Sequence, residues 1–272
     1  MTATRAAVCG SPIRHSLSPV LHGAAYEALG LSEWSYDRVE LTAVELGPWV
    51  AGLDESWRGL SLTMPLKEAA FEVARTVSDL ARTVGSINTL IRTAPQGWEA
   101  HNTDVVGIAR ALAEAGVSRP RHAIVVGAGA TARSALAALS GMGVVEVAVM
   151  VRTVIRPETA SVADRLGLTL TPRTIGSWPD AVDVVVGTVP PEAYAGALAG
   201  LTAARGAGAI LDCVYGHGPS PLLEAAIERG YAAVSGTEML LHQAAEQVQL
   251  MTGCVAPVAA MRAALQDAIS GG

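Results

Sequence analysis

Lysine is almost missing from this chain. Of its 19 basic side chains, 18 are arginine, and Lys67 is the only lysine. Where charge alone is wanted, such a composition supplies guanidinium, so the position that keeps an amine is one where arginine cannot substitute. Arginine lacks proton exchange: its guanidinium stays protonated, whereas an amine can give or take a proton. A solvated surface lysine is the plain alternative. Other shortages exclude whole classes of protein. Half of the residues are apolar, yet no run approaches the roughly 18 to 20 uninterrupted apolar residues of a membrane span. Three widely spaced cysteines, Cys9, Cys213 and Cys254, suit neither a disulfide framework nor a metal site and fit buried thiols in a reducing cytoplasm. A net charge of -6 without any basic run argues against nucleic acid as the main partner. Residues 1–5 carry no apolar signal segment, so a soluble cytoplasmic protein without membrane attachment is expected. With 272 residues the chain is long enough for two ordinary domains without staples.

Three βα-like units open the chain: strand 6–10 with helix 18–29, strand 35–41 with helix 44–53, and strand 58–63 with helix 65–77. Short apolar strands alternating with helical periodicity predict an α/β domain on a mostly parallel sheet. The loop Gly10-Ser11-Pro12-Ile13-Arg14-His15-Ser16-Leu17-Ser18-Pro19 follows the first strand, where open α/β sheets place their ligands. Ser18 before Pro19 reads as an N-cap followed by a proline at the first helical position. Ser16 has no such structural reason, and two hydroxyls beside a helix N-terminus suit a small carboxylate. Lys67 follows Ser61-Leu62-Thr63-Met64-Pro65-Leu66 in the first turn of the third helix, a position opposed by the helix dipole and so kept for use rather than stability. Strands 87–92 and 97–100 flank the turn 93–96 as a hairpin. Asn88-Thr89 and Asn102-Thr103 follow the same pattern, and Asp104 precedes helix 105–115, where its structural role is an N-cap.

From Arg121 the pattern changes. His122-Ala123-Ile124-Val125-Val126 runs into Gly127-Ala128-Gly129-Ala130-Thr131-Ala132 and then a helix over 133–139. This is the dinucleotide-binding fingerprint, with Ala132 at the third position, where small size serves helix packing and the helix N-terminus receives the pyrophosphate. The next strand, 146–151, ends in Val151-Arg152-Thr153 with Arg156 beyond it and no acid before Glu158. An acid there would hold the ribose of NAD and repel a 2′-phosphate; two arginines favour NADP. Two solvated surface arginines are the alternative reading. Strands 182–186, 209–214 and 231–234 complete a doubly wound, Rossmann-type unit. Thr188-Val189-Pro190 closes a strand near the expected nicotinamide position. Helices 238–251 and 257–269 return to the first domain. The expected division is therefore 1–104 with 237–272 for substrate and 105–236 for cofactor, with the active site in the cleft between them.

Four ordered segments now carry a resemblance: Gly-Ser-Pro-Ile-Arg-His-Ser-Leu-Ser-Pro at 10–19, Ser-Leu-Thr-Met-Pro-Leu-Lys at 61–67, Gly-Ser-Ile-Asn-Thr-Leu at 85–90 and Asn-Thr-Asp-Val-Val-Gly at 102–107. Together they resemble shikimate dehydrogenase, and the likeness continues to Gly-Thr-Glu-Met-Leu-Leu-His-Gln-Ala at 236–244. The resemblance implies that Ser16, Ser18 and Thr63 hold a substrate carboxylate. It places Lys67, Asn88 and Asp104 around the reacting oxygen and its neighbouring hydroxyl, with Gln243 on the hydroxyl side of the ring and Ser61 and Tyr215 among the substrate contacts. It adds Val214, Gly236 and Met239 to the cofactor residues. Lys67 would deliver the proton and Asp104 would orient it. The implied reaction is reversible reduction of 3-dehydroshikimate to shikimate by NADPH, in aromatic amino acid biosynthesis, without a metal, in a monomer or homodimer. Three positions depart from the family: Ser61 stands where asparagine is usual, His22-Gly23 replaces His-Asn, and Val151 replaces another asparagine. Gly216-His217-Gly218-Pro219-Ser220-Pro221 lacks the usual Asn-Pro. His22, on a helix, reads as packed rather than catalytic. Ser61 keeps a quinate/shikimate or aminoshikimate dehydrogenase open as the alternative, beside a nucleotide-sensing module without turnover.

Overall fold

Period-two and period-3.6 apolar patterns sort this chain into twelve strands and ten α-helices among the described residues. The structure is a computed structural model that describes residues 3–93, 97–204, 206, 208–216, 218 and 220–271. The chain divides into two compact units, Met1–Thr103 with Leu240–Gly272, and Asp104–Met239.

The first unit runs β1 (Thr4–Gly10), α1 (Ser18–Ala28), β2 (Trp34–Glu40), α2 (Ala43–Ala51), β3 (Trp57–Leu62), α3 (Leu66–Ala69), β4 (Thr76–Val77), α4 (Asp79–Val84), β5 (Thr89–Thr93) and β6 (Gly97–His101). Its sheet has the order β2-β1-β3-β5-β6-β4. β1 pairs in parallel with both β2 and β3, whereas β5 is antiparallel to β3 and β6. The sheet is therefore mixed, with parallel pairs in the majority. Leu60, Leu62, Leu66, Ile87, Leu90 and Trp98 form the centre of its buried core. The hairpin strands are present, but the turn residues 94–96 lie outside the described residues.

The second unit runs α5 (Asp104–Glu114), β7 (Ala123–Val126), α6 (Ala130–Gly141), β8 (Glu146–Val151), α7 (Pro157–Leu166), β9 (Thr169–Thr174), β10 (Val184–Gly187), β11 (Ala209–Asp212), α8 (Pro221–Glu228) and β12 (Ala232–Ser235). All strands are parallel in the order β12-β11-β10-β7-β8-β9. Covered on both faces, the central strands are continuous apolar runs such as the fully buried Val184-Val185-Val186. The boundary between the units falls within α9 (Gly236–Thr252), and α10 (Val258–Ser270) packs on α1 in the first unit.

Several expectations change. The helix expected over 65–77 is only α3, followed by a 3-10 turn over Ala70–Glu72 and then β4. Pairing with β6 wins over helical continuation: Arg75 donates its N–H to the Trp98 carbonyl at 2.8 Å, and the β-branched Thr76 and Val77 join the sheet. In so short a helix few peptide dipoles align, so the dipole argument for Lys67 has little force. Ser18 is not an N-cap. The helix begins at Ser18 itself, and its N–H is accepted by Ser16 Oγ at 3.3 Å. Strand β9 has no counterpart in the sequence reading; its burial is mostly low and Pro172 interrupts its pattern, as befits an edge strand. Of the cysteines only Cys9 is buried, with its thiol pushed up to about 12 by desolvation, while Cys213 and Cys254 are half-buried.

Candidate functional site

In the first unit two loops are stitched together at the carboxyl edge of the sheet. Thr63 donates its N–H to the Cys9 carbonyl at 2.9 Å, and Ser11 donates its N–H to the Met64 carbonyl at 3.0 Å. Gly10 allows this approach, because a Cβ there would strike the Thr63 methyl and lie 2.8 Å from the Met64 carbonyl oxygen. The stitching brings the Ser16 and Ser18 loop to Thr63. Ser16 Oγ spends a lone pair on the Ser18 N–H, so the hydroxyl is oriented with its proton still available to an acceptor. Arg38 of β2 holds the same turn by donating Nη2 and Nε to the Ser16 carbonyl at 2.6 and 3.0 Å.

Lys67 is half-buried on α3. Its carbonyl accepts the Ile87 N–H at 2.8 Å, and the Leu62 N–H donates to the Asn88 carbonyl at 2.7 Å. These bonds fix Asn88 beside the 61–67 segment. Asn88 is buried, and its Oδ1 accepts from the Thr103 N–H and from the Thr89 hydroxyl, both at 2.8 Å. Its Nδ2 donates to Thr103 Oγ1 at 2.9 Å and, more weakly, towards Gln243 Oε1 at 3.4 Å. Ser61 is buried with its proton donated to Gln247 Oε1 at 2.7 Å. Thus Ser16, Ser18, Ser61, Thr63, Lys67, Asn88 and Gln243 collect on one edge of one sheet. Tyr36, Arg38, Thr103 and Gln247 were missed in the sequence. Two of them left a signal: Thr103 sits in the Asn-Thr pair before Asp104, and Gln247 stands four residues after Gln243 and so on the same helical face.

His22 is fully buried, as its helical position suggested, and desolvation outweighs its bond to Gln247 in pulling it down to about 3. It stacks on Tyr36 with ring centroids 3.9 Å apart.

In the second unit the glycine-rich turn joins β7 to α6, which begins at Ala130 with Gly129 as its N-cap. Gly127 has φ +113°, and a Cβ there would collide with Thr188 Oγ1. Thr188 in turn donates its hydroxyl to the Val126 carbonyl at 2.8 Å. Val189 lies beside it on the loop after β10, and a Cβ at Gly127 would meet its Cγ1 at 2.9 Å. The turn is also braced from α7: buried Thr159 donates to the Ala128 carbonyl at 2.8 Å. Arg152, Thr153 and Arg156 are exposed beyond β8, and the first acid after them is the exposed Glu158. Positive φ at the turn, the start of a twelve-residue helix and two guanidinium groups with no acid between them or before them at the end of β8 fit a phosphorylated dinucleotide.

Further carboxyl-end residues of the same sheet gather beyond β11. The Val214 N–H donates to Asp212 Oδ1 at 3.2 Å. Gly236 must be small, because a Cβ there would lie 2.7 Å from the carbonyl oxygens of both Asp212 and Cys213. Met239 is buried. Tyr215 is half-buried, and its hydroxyl is pushed up to about 12, first by desolvation and then by the negative charge of Asp104. Asp104 is itself buried in the first turn of α5. His217 and Pro219 of the following loop lie outside the described residues.

Comparison with known proteins covers both units. Residues 8–90 match the shikimate dehydrogenase substrate binding domain, and residues 236–266 match the shikimate 5′-dehydrogenase C-terminal domain. A shikimate dehydrogenase (NADP(+)) from Anaeromyxobacter sp. (strain Fw109-5) is 36% identical over 273 residues, covering 95% of this chain and 94% of the relative. The crystal structure of Mycobacterium tuberculosis shikimate dehydrogenase superposes with a TM-score of 0.88 at 41% identity, over 97% of this chain and 99% of that one. Shikimate 5-dehydrogenase from Thermus thermophilus, in complex with NADP(H) and shikimate, has a TM-score of 0.80 at 29% identity, over 97% and 99% of the two chains.

Proposed function

The chain belongs to the shikimate dehydrogenase family, and from that premise we propose that it catalyses the reversible NADPH-dependent reduction of 3-dehydroshikimate to shikimate in aromatic amino acid biosynthesis. The observation that carries the reading is the single sheet edge on which two stitched loops, Lys67 and Asn88 assemble. Hydroxyls of Ser16, Ser18 and Thr63 serve as donors for the substrate carboxylate, and Asn88 and Gln243 serve the ring hydroxyls.

When bound, NADPH supplies the hydride to the carbonyl carbon. Gly127, Ala128, Gly129, Ala130, Thr131 and Ala132 would hold its pyrophosphate at the α6 N-terminus, and Arg152, Thr153 and Arg156 its 2′-phosphate. Thr188, Val189, Val214, Gly236 and Met239 would flank the nicotinamide, with Tyr215 against the substrate. Lys67 as an ammonium gives its proton to the developing alkoxide, and as an amine it takes that proton back in the oxidative direction. Asp104 is assigned by the family resemblance as the acid of the catalytic pair. Among the described residues no helix is long and apolar enough to cross a membrane, and we place the enzyme in the cytoplasm.

Purified protein mixed with 3-dehydroshikimate and NADPH should consume the reduced nicotinamide stoichiometrically. Shikimate and quinate, each offered with NADP and NAD, separate this activity from its relatives. Faster NAD-linked oxidation of quinate would move the assignment to a quinate/shikimate dehydrogenase, and nucleotide binding with no turnover to a sensing module.

A further inference from the structure

Ser61 is a short, buried hydroxyl side chain near the end of β3, and the geometry around it describes a relay. Tyr36 donates its hydroxyl to Ser61 Oγ at 2.6 Å, Ser61 donates to Gln247 Oε1 at 2.7 Å, and Gln247 Nε2 donates to Thr89 Oγ1 at 2.9 Å. Thr89 then donates to Asn88 Oδ1 at 2.8 Å. Backbone groups set the direction of the chain at its far end. The Asn88 carbonyl can only accept, and it takes Gln247 Nε2 at 3.3 Å. The Thr103 N–H can only donate, and it points at Asn88 Oδ1. Gln247 must therefore turn Oε1 towards Ser61, so Ser61 must donate and Tyr36 must donate to Ser61.

A second donor reaches the same oxygen. His22 Nε2 lies 3.4 Å from Gln247 Oε1, while the Tyr26 hydroxyl lies 3.4 Å from His22 Nδ1. With Oε1 accepting, His22 carries its proton on Nε2 and accepts the Tyr26 proton on Nδ1. Ser61 supplies the shorter bond. Without it, buried Gln247 Oε1 would keep only a long contact, and its amide would lose the orientation that serves Thr89.

We propose that Ser61 is a positioning residue that acts through Gln247 and Thr89 and, together with the Thr103 contacts, holds the Asn88 amide in place for a ring hydroxyl of the substrate. The inference rests on the functional reading above, in which Asn88 meets substrate. It assigns Ser61 an indirect role in specificity, since its one proton is committed to Gln247.

The test is a double-mutant cycle of Ser61→Ala and Thr89→Val, which cut the relay on either side of Gln247. Each single change should raise KM for 3-dehydroshikimate about fivefold with little change in kcat, the signature of lost binding shared by ground and transition states. The double variant should show no more than the larger single effect. Multiplying effects would overturn the proposal, because a Ser61 that touches substrate directly keeps its own contribution when Thr89 is gone. Tyr36→Phe preserves the ring stacked on His22 and removes the first donor of the relay. In that variant, and more strongly in Ser61→Ala, the Asn88 side-chain amide resonances should shift; unmoved resonances in folded protein would equally sink the idea. A wild-type chain that fails to reduce 3-dehydroshikimate defeats the functional reading, whereas the amide resonances need no turnover and still decide whether the relay orients Asn88.

Discussion

The hydroxyl of Thr159 donates to the Ala128 carbonyl at 2.8 Å, across 31 residues of sequence. One bond thus ties the first turn of α7 to the middle of the glycine-rich turn. Thr159→Val keeps the shape and removes the donor, leaving the Ala128 carbonyl short of a partner. We expect a loss of about 1 to 2 kcal/mol in unfolding free energy by urea denaturation, together with a raised KM for NADPH. A variant as stable as the parent, with unaltered KM, would show the bond to be incidental.

Lys67→Ala should cost at least roughly a hundredfold in kcat, or about 2.7 kcal/mol of barrier, the low end for losing a general acid. Steady-state kinetics on folded protein decide it. Turnover equal to the parent's would return Lys67 to the status of a surface cation.

Arg152 is exposed, and its role is assigned to the cofactor alone. Arg152→Ala should raise KM for NADPH and narrow the preference over NADH while kcat holds at saturation. Equal KM values in the two proteins would leave this arginine solvated and place the discrimination elsewhere, with Arg156 next to be changed.

His22 links stability to pH. Its folded-state value is lowered from 6.5 to about 3 by burial, so below 6.5 the unfolded chain binds a proton that the folded chain refuses. The contribution is therefore whole above about pH 6.5 and is lost as the solution is acidified towards pH 3, with a limiting slope of roughly 1.4 kcal/mol per pH unit. His22→Gln removes the titrating ring. Denaturation curves at pH 7, 6, 5 and 4 should fall less steeply in that variant, and parallel curves would assign the acid sensitivity to other groups.

Much of the architecture was legible because it rests on local patterns. The alternation of apolar strands with helical segments predicted an α/β protein, and β8 appears over the expected residues. The Gly127 turn was readable because only glycine tolerates its φ of +113° so close to Thr188. Where the reading failed, long-range pairing overrode local preference. Residues 73–77 carry a plausible helical pattern, but Arg75 bonds to the Trp98 carbonyl and Thr76 and Val77 pair with β6. Ser18 looked like a cap from its neighbours, yet Ser16 occupies the position from which its N–H can be accepted.

By itself the sequence determined the kind of chemistry: a single amine among guanidinium groups, hydroxyls in a loop after a strand, and a phosphate-binding turn with arginine rather than an acid at the end of the next strand. Those are properties of residue type and short spacing. Only the tertiary structure decided what Ser61 is attached to. Its partners Tyr36 and Gln247 lie 25 and 186 residues away, and no local pattern encodes which buried hydroxyl meets which amide. That choice is made when the sheet and α9 pack together, because each buried donor must then find an acceptor among the few groups within reach.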